Sequence, residues 1–227
     1  MCGRFTLTTP DLAALADLVA ADVDPRLLDE HRPRYNIAPT ASTALLYLTH
    51  GQRRLGPGVW GLPSPFGPDK RPGGFINARA ETAATLPSFR DAFARGRCVV
   101  LADGFFEWTG PKSRRQPLWF RRKDGGPLLL GAMYRDDADG ETGEVTRRFA
   151  ILTTRANATL APHHDRMPVL LELPGLDRWL GPARPQALAD LLAPAPDDLL
   201  STTPVSPRVN SARYDDPGCV APIDAVA

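Results

Sequence analysis

The second residue of the chain is a cysteine, in the run MCGRF. Methionine is normally removed ahead of a small residue, and the mature chain would then begin with an α-amine and a thiol on adjacent carbons. Such an amine has a reference pKa of ~7.7–8.0, so a useful fraction is neutral and nucleophilic near physiological pH. It can condense with an aldehyde to an imine, and the thiol can then close a five-membered thiazolidine ring. Both are recognised covalent nucleophiles. The other reading of Cys2 is a small residue at a frayed terminus. Gly3 allows close backbone approach, and Arg4 sets a cation two residues away that would depress the thiol pKa or hold a phosphate.

Other polar groups stand where a fold does not need them. In Phe75–Thr82 (FINARAET), Asn77 and Arg79 alternate at a strand end, so both fall on one side. Asn77 either orients an amine or carbonyl or caps the helix that follows, and Arg79 is placed to grip a phosphate. In Asp103–Trp108 (DGFFEW), Glu107 is a carboxylate among aromatics, surroundings that raise a pKa towards the range useful for proton transfer. It could equally be an edge carboxylate paired with an arginine. His163 and His164 precede Asp165-Arg166-Met167-Pro168, and such a pair reads either as surface histidines or as a catalytic one. A zinc site needs spaced ligands, and neither His31 nor His50 offers a companion motif. Residues 34–40 (RYNIAPT) and 60–66 present aromatic and proline faces, suited to stacking on unpaired bases or to a satellite hydrophobic cluster. Cys98 and Cys219 read as structural.

The elements that must carry these groups follow from pattern. Thr9-Pro10-Asp11 predicts an N-cap, N1 and acidic first turn for a helix with Leu12, Leu15, Leu18 and Val19 on one face. Residues 43–48 predict a strand, and Gly56 to Gly74 a long loop. A helical stretch over 80–95, interrupted at Pro87, leads to a buried strand over 97–108. Residues 117–121 and 127–134 flank Asp124-Gly125-Gly126, which predicts a hairpin. Strands over 145–153 and 167–173 precede helices near 175–193. Many strands, few helices and no regular βαβ alternation predict a mixed α+β domain with a largely antiparallel sheet or barrel core.

Composition sets the outer bounds. The 227 residues carry 27 Lys+Arg against 26 Asp+Glu, a length that suits one domain. No apolar run approaches the ~18 residues of a membrane span, and the start lacks a signal-peptide layout. Three cysteines without a C-x-x-C make neither a disulfide framework nor a zinc finger, so the expected compartment is the cytosol. Residues 1–125 hold 18 Lys+Arg against 12 Asp+Glu, and only Lys70, Lys112 and Lys123 are lysines. An arginine-rich half fits either a nucleic-acid partner or charges spread over a solvated surface.

The ordered set MCGRF, RYNIAPT, WGL, FINARAET, ADGFFEW, HDRMP and PVSPRVN resembles the SOS-response-associated peptidase (SRAP) family of abasic-site processing proteins, over residues 2 to about 217. The resemblance implies a single α+β domain over 1–227, with a mostly antiparallel, barrel-like core flanked by helices and a C-terminal tail over 218–227. It implies a thiazolidine crosslink between the N-terminal cysteine and an abasic site in single-stranded DNA, with possible lyase and self-processing activity. Carried over by motif, Cys2 is the nucleophile, Asn77 orients it, Glu107 handles protons at the sugar and His164 assists proton transfer. Arg4, Arg79 and Arg166 fit phosphate contacts; Pro39, Phe66 and Trp108 fit contacts to bases. Phe66 stands in a loop that carries Pro63 and Pro65 in place of a tryptophan pair. No cofactor or metal is implied. The expected state is a cytoplasmic, nucleoid-associated monomer without membrane contact. The rival reading is an N-terminal-cysteine peptidase acting on proteins, in which the thiol attacks an amide.

Overall fold

Arg97–Ala102 (RCVVLA, β7) is buried at every position, which a strand achieves only with packing on both faces. The computed structural model, which describes residues 2–64, 73–111, 114–138 and 142–223, places it in the wall of a barrel. The other strands before it are β1 (Phe5–Leu7), β2 (Asp22–Val23), β3 (Arg34–Ile37), β4 (Ser42–Thr49), β5 (Gln52–Trp60) and β6 (Asn77–Arg79). After it come β8 (Gly104–Thr109), β9 (Gln116–Arg122), β10 (Leu128–Ala138), β11 (Val145–Arg155), β12 (Arg166–Pro168), β13 (Leu170–Leu171) and β14 (Leu200–Pro204). The helices are short: α1 (Leu12–Leu18), α2 (Pro25–Glu30), α3 (Ala80–Ala83), α4 (Arg90–Arg95) and α5 (Leu176–Leu180).

Among the described residues the strands form two sheets. In the larger, β11, β10, β7, β4 and β5 follow one another, and β5 pairs β11 in parallel (Arg148↔Val59, Phe149↔Trp60) to close the ring. Closure removes the exposed edges an open sheet would leave. The smaller sheet, β14-β9-β8-β1-β3, is antiparallel throughout. Phe5 joins the two, its ring 5.1 Å from that of Trp60, which stacks on Phe149 at 6.4 Å. The α+β, barrel-like expectation is met. Three parallel pairings, of β5 and β6 with β11 and of β2 with β5, make the larger sheet mixed.

Local expectations fail where tertiary contacts redirect the chain. The strand foreseen over 97–108 is two strands in two sheets, broken at Asp103. Its carboxylate accepts from the Thr6 hydroxyl and from the Thr8 amide and hydroxyl, the latter at 2.6 Å. The hairpin foreseen at Asp124-Gly125-Gly126 does not form, because β9 pairs β8 and β14 while β10 pairs β7, β11 and β13. The turn carries the chain between sheets. Helix α1 is capped by Asp11, whose carboxylate accepts from the Ala14 amide at 2.9 Å, and not by Thr9. Leu18 faces solvent, and Ala16 takes its place on the buried face. The expected loop from Gly56 begins later, since β5 continues to Trp60. Among the described residues no helix is long and apolar enough to cross a membrane.

Candidate active site at the N-terminal cysteine

The N-terminal segment reaches its place by pairing. Strand β1 lies antiparallel to β8 with Phe5 opposite Phe105 and Thr6 opposite Gly104. The Phe106 amide donates to the Arg4 carbonyl at 3.0 Å. The same register carries Cys2 and Gly3 alongside Glu107. Cys2 is fully buried, and its thiol points at the Arg4 carbonyl 3.7 Å away.

Strand β6 brings Asn77 to the same place. It lies parallel to β11, with Asn77 opposite Ile151 and Arg79 opposite Thr153. The Trp60 indole N–H fixes the segment by donating to the Ile76 carbonyl at 2.8 Å. Asn77 Nδ2 then donates to the Cys2 carbonyl at 2.8 Å. Asn77 does not cap α3, whose N-cap is Arg79 without a side-chain hydrogen bond. Its Oδ1 is buried and without a hydrogen-bond partner.

Glu107 is 3% exposed. Burial, the largest influence, pushes its carboxyl above the ordinary carboxylate range. Burial also pushes the Cys2 thiol far up, and the Glu107 charge adds to that. The depressed thiol expected from Arg4 is therefore not what the fold provides. The Arg4 guanidinium turns instead to Asn36 Oδ1 at 2.9 Å and the Val209 carbonyl at 2.7 Å.

Strand β12 pairs with β11 through Arg155↔Arg166 and Thr153↔Pro168, so Thr153 lies between β6 and β12. His164 Nδ1 accepts from the Arg166 amide at 2.9 Å and also lies 2.8 Å from an Asp165 carboxylate oxygen. The amide contact makes Nδ1 an acceptor and places a ring hydrogen on Nε2, and the Asp165 oxygen is the rival contact for the same Nδ1.

The structure thus brings Cys2, Asn77, Glu107 and His164 into one neighbourhood. Arg79 is exposed, and its guanidinium hydrogen-bonds no described residue. Arg166 is buried. It grips Glu81 with two bonds of 2.7 Å and also donates to the Thr153 carbonyl, leaving its Nε without a partner. Trp108 is half-buried and donates to Asn210 Oδ1 at 2.7 Å. Pro39 is partly exposed beside Thr40, and Phe66 lies outside the described residues.

Sequence reasoning missed Glu81, Asn36 and Asp215. Asn36 Nδ2 donates to the Tyr214 carbonyl at 2.7 Å, and Asp215 accepts from the Tyr35 and Asn36 amides and from Arg34. These contacts hook the C-terminal segment over β3 and hold Arg4 from the other side. Asn36 stood inside RYNIAPT and Glu81 inside FINARAET, but nothing in the spacing names partners so far along the chain.

The sequence model described as "SOS response associated peptidase (SRAP)" matches residues 1–212. The chain is 34% identical over 224 residues to "Abasic site processing protein YoqW" of Bacillus subtilis, covering 96% of this chain and 97% of that protein. It is 33% identical over 233 residues to "Abasic site processing protein YedK" of Escherichia coli, covering 98% and 100%. A crystal structure of a protein from Bacteroides thetaiotaomicron superposes with a TM-score of 0.84 at 22% identity, covering 98% of this chain and all of that one.

Proposed function

The chain belongs to the SOS response associated peptidase family, and from that premise we propose that it processes abasic sites in DNA, capturing the lesion in single strands as a thiazolidine on Cys2. The observation that carries this reading is the hydrogen bond from Asn77 to the Cys2 carbonyl, beside the buried Glu107. It holds the cysteine backbone where the freed α-amine would react.

The proposed sequence starts with loss of Met1. The abasic sugar is mainly a closed hemiacetal and must open to its aldehyde. Glu107, with its raised pKa, serves as the acid or base for that opening. The Cys2 amine adds to the aldehyde carbon, and the carbinolamine expels water to give an imine, with His164 moving the proton. Because burial keeps the thiol protonated, the amine is the first nucleophile. The sulfur then forms a C–S bond to the imine carbon, the C=N π electrons pass to nitrogen, and the thiol proton follows through Glu107. Without that trap an imine at this sugar favours β-elimination of the 3′ phosphate, which is lyase chemistry. Arg79 is the exposed cation for the DNA backbone. Arg4, Arg166, Pro39, Phe66 and Trp108 are proposed to line the remaining DNA path.

The test is a denaturing gel with single-stranded DNA carrying one abasic site, without borohydride. Wild-type protein should give a heat-stable shifted band, and Cys2→Ala and a variant retaining Met1 should give none. A band from either variant would remove the aminothiol from the mechanism. No band from any, with Met1 confirmed absent from the wild type, would leave the peptidase reading.

A further inference from the structure

We propose that Glu81 is a positioning residue for His164, acting through Arg166. The inference rests on the role proposed above for His164. Glu81 stands on α3, directly after β6, and its carboxylate takes Arg166 Nη1 and Nη2 at 2.7 Å each. The same guanidinium donates to the Thr153 carbonyl, from the strand between β6 and β12. The side chain of Arg166 is 10% exposed and that of Glu81 48% exposed. Glu81 is the only carboxylate that Arg166 pairs with among the described residues, so removing it leaves a buried cation uncompensated.

The backbone of the same arginine carries the second half of the argument. Its amide donates to His164 Nδ1 at 2.9 Å. That bond makes Nδ1 an acceptor and leaves the ring hydrogen on Nε2. Asp165 lies 2.8 Å from the same Nδ1 and competes for it, because an Nδ1–H would donate to that carboxylate. The side-chain clamp on Glu81 fixes where the Arg166 amide points, and therefore which of the two contacts Nδ1 makes. Residues that orient a reacting group in this way matter at the level of an ångström, and such misplacement can cost roughly 10²-fold in rate.

The experiment compares wild type, Glu81→Ala, Glu81→Gln, His164→Ala and the double variant Glu81→Ala/His164→Ala. Two readouts are taken: the crosslinking rate constant at saturating abasic single-stranded DNA, and ¹⁵N spectra of the His164 ring without DNA. Glu81→Ala should lower the rate constant by roughly 10²-fold, with the half-saturating DNA concentration within about threefold. Glu81→Gln, which keeps one acceptor for Arg166, should lose less. The double variant should be no slower than His164→Ala, because Glu81 acts through that ring. In the spectra, wild type should show Nε2–H with an unprotonated Nδ1, and Glu81→Ala should mix the two tautomers. An unchanged ring spectrum, or a Glu81→Ala loss that persists in full without His164, would overturn the proposal. Should Glu81→Ala fail to fold, Glu81→Gln carries both readouts. Should wild type form no adduct, the crosslinking reading fails and the ring spectrum still decides the position of His164.

Discussion

Asn77 Nδ2 holds the carbonyl of Cys2 at 2.8 Å across 75 positions of sequence. The bond ties β6, a strand of the barrel sheet, to the end of the chain that enters the smaller sheet. Asn77 is therefore predicted to matter for rate more than for folding. Asn77→Asp replaces the donor with a carboxylate facing a carbonyl oxygen, which repels it. The single-turnover crosslinking rate should fall by about 10²-fold, while the fold, held here by the β6–β11 pairing and the Trp60–Ile76 bond, persists. Asn77→Asp crosslinking at the wild-type rate would show that the carbonyl contact does not position the nucleophile.

Arg79 and Arg166 should respond differently to substitution although both are arginines of the proposed DNA path. Arg79 is exposed with no described hydrogen-bond partner, so Arg79→Ala should weaken single-stranded DNA binding evenly across sequences. The slope of log affinity against log salt should drop by roughly 0.7, the value for one phosphate contact on a single strand. Arg166→Ala keeps the amide that donates to His164 but removes the guanidinium that pairs with Glu81, and so the clamp that orients that amide. Its main effect should fall on the crosslinking rate and not on the salt slope. Fluorescence anisotropy over a salt series separates the two.

Arg97 is a fold residue with no carboxylate partner among the described residues. Its buried guanidinium donates to the carbonyls of Trp179 at 2.7 Å, Phe93 at 2.9 Å and Gly181 at 2.5 Å. These carbonyls stand at the C-terminal ends of α4 and α5, where no helical amide reaches them. Arg97→Met fills much of the volume but leaves the acceptors buried and unbonded. It should cost about 2–4 kcal/mol in urea unfolding. Arg97→Lys should recover only part, because one ammonium cannot reach both helix ends. A loss below about 1 kcal/mol for Arg97→Met would mean that water replaces the guanidinium at those carbonyls.

How much of this was legible in the sequence depends on the range of the contacts. Cys2, Asn77, Glu107 and His164 stand out locally only as candidates with plain structural alternatives, and their roles come from the ordered set of motifs that resembles the family. The barrel strands β4, β7 and β10 show as apolar runs because both faces are buried, whereas β5 (QRRLGPGVW) does not, and its glycines and proline read as the start of a loop. The break at Asp103 does not show, because its cause is the hydroxyls of Thr6 and Thr8, about a hundred residues earlier. The sheet change at Asp124-Gly125-Gly126 is invisible for the same reason, since a glycine turn has the same composition whether or not its flanking strands pair. The thiol of Cys2 departs from expectation because neighbouring charge is visible in a sequence and burial is not. Arg4 is adjacent in the chain, yet its guanidinium is held by Asn36 and Val209.

Glu107 should show activity and stability moving in opposite directions. Its carboxyl is raised by burial, so the folded protein holds that proton more tightly than the unfolded chain does. A group of this kind favours the fold at low pH, and that contribution is lost as pH rises from the ordinary Glu value of roughly 4.3 through the raised folded value. Above that window the native state carries a desolvated carboxylate. Glu107→Gln removes the charge while keeping the shape, so it should unfold at a higher temperature than wild type at neutral pH, by about 2–4 °C for each kcal/mol relieved. The gain should vanish below about pH 4, where both states of the wild-type glutamate are protonated. The same variant should crosslink roughly 10²-fold more slowly or worse, since an amide can neither give nor take the proton. Thermal melts across pH, paired with crosslinking rates on the same samples, check both halves. A Gln variant that is slower and also less stable at neutral pH would show that the Glu107 carboxylate holds the fold together in addition to moving protons. A variant equally fast would take Glu107 out of the proton chemistry.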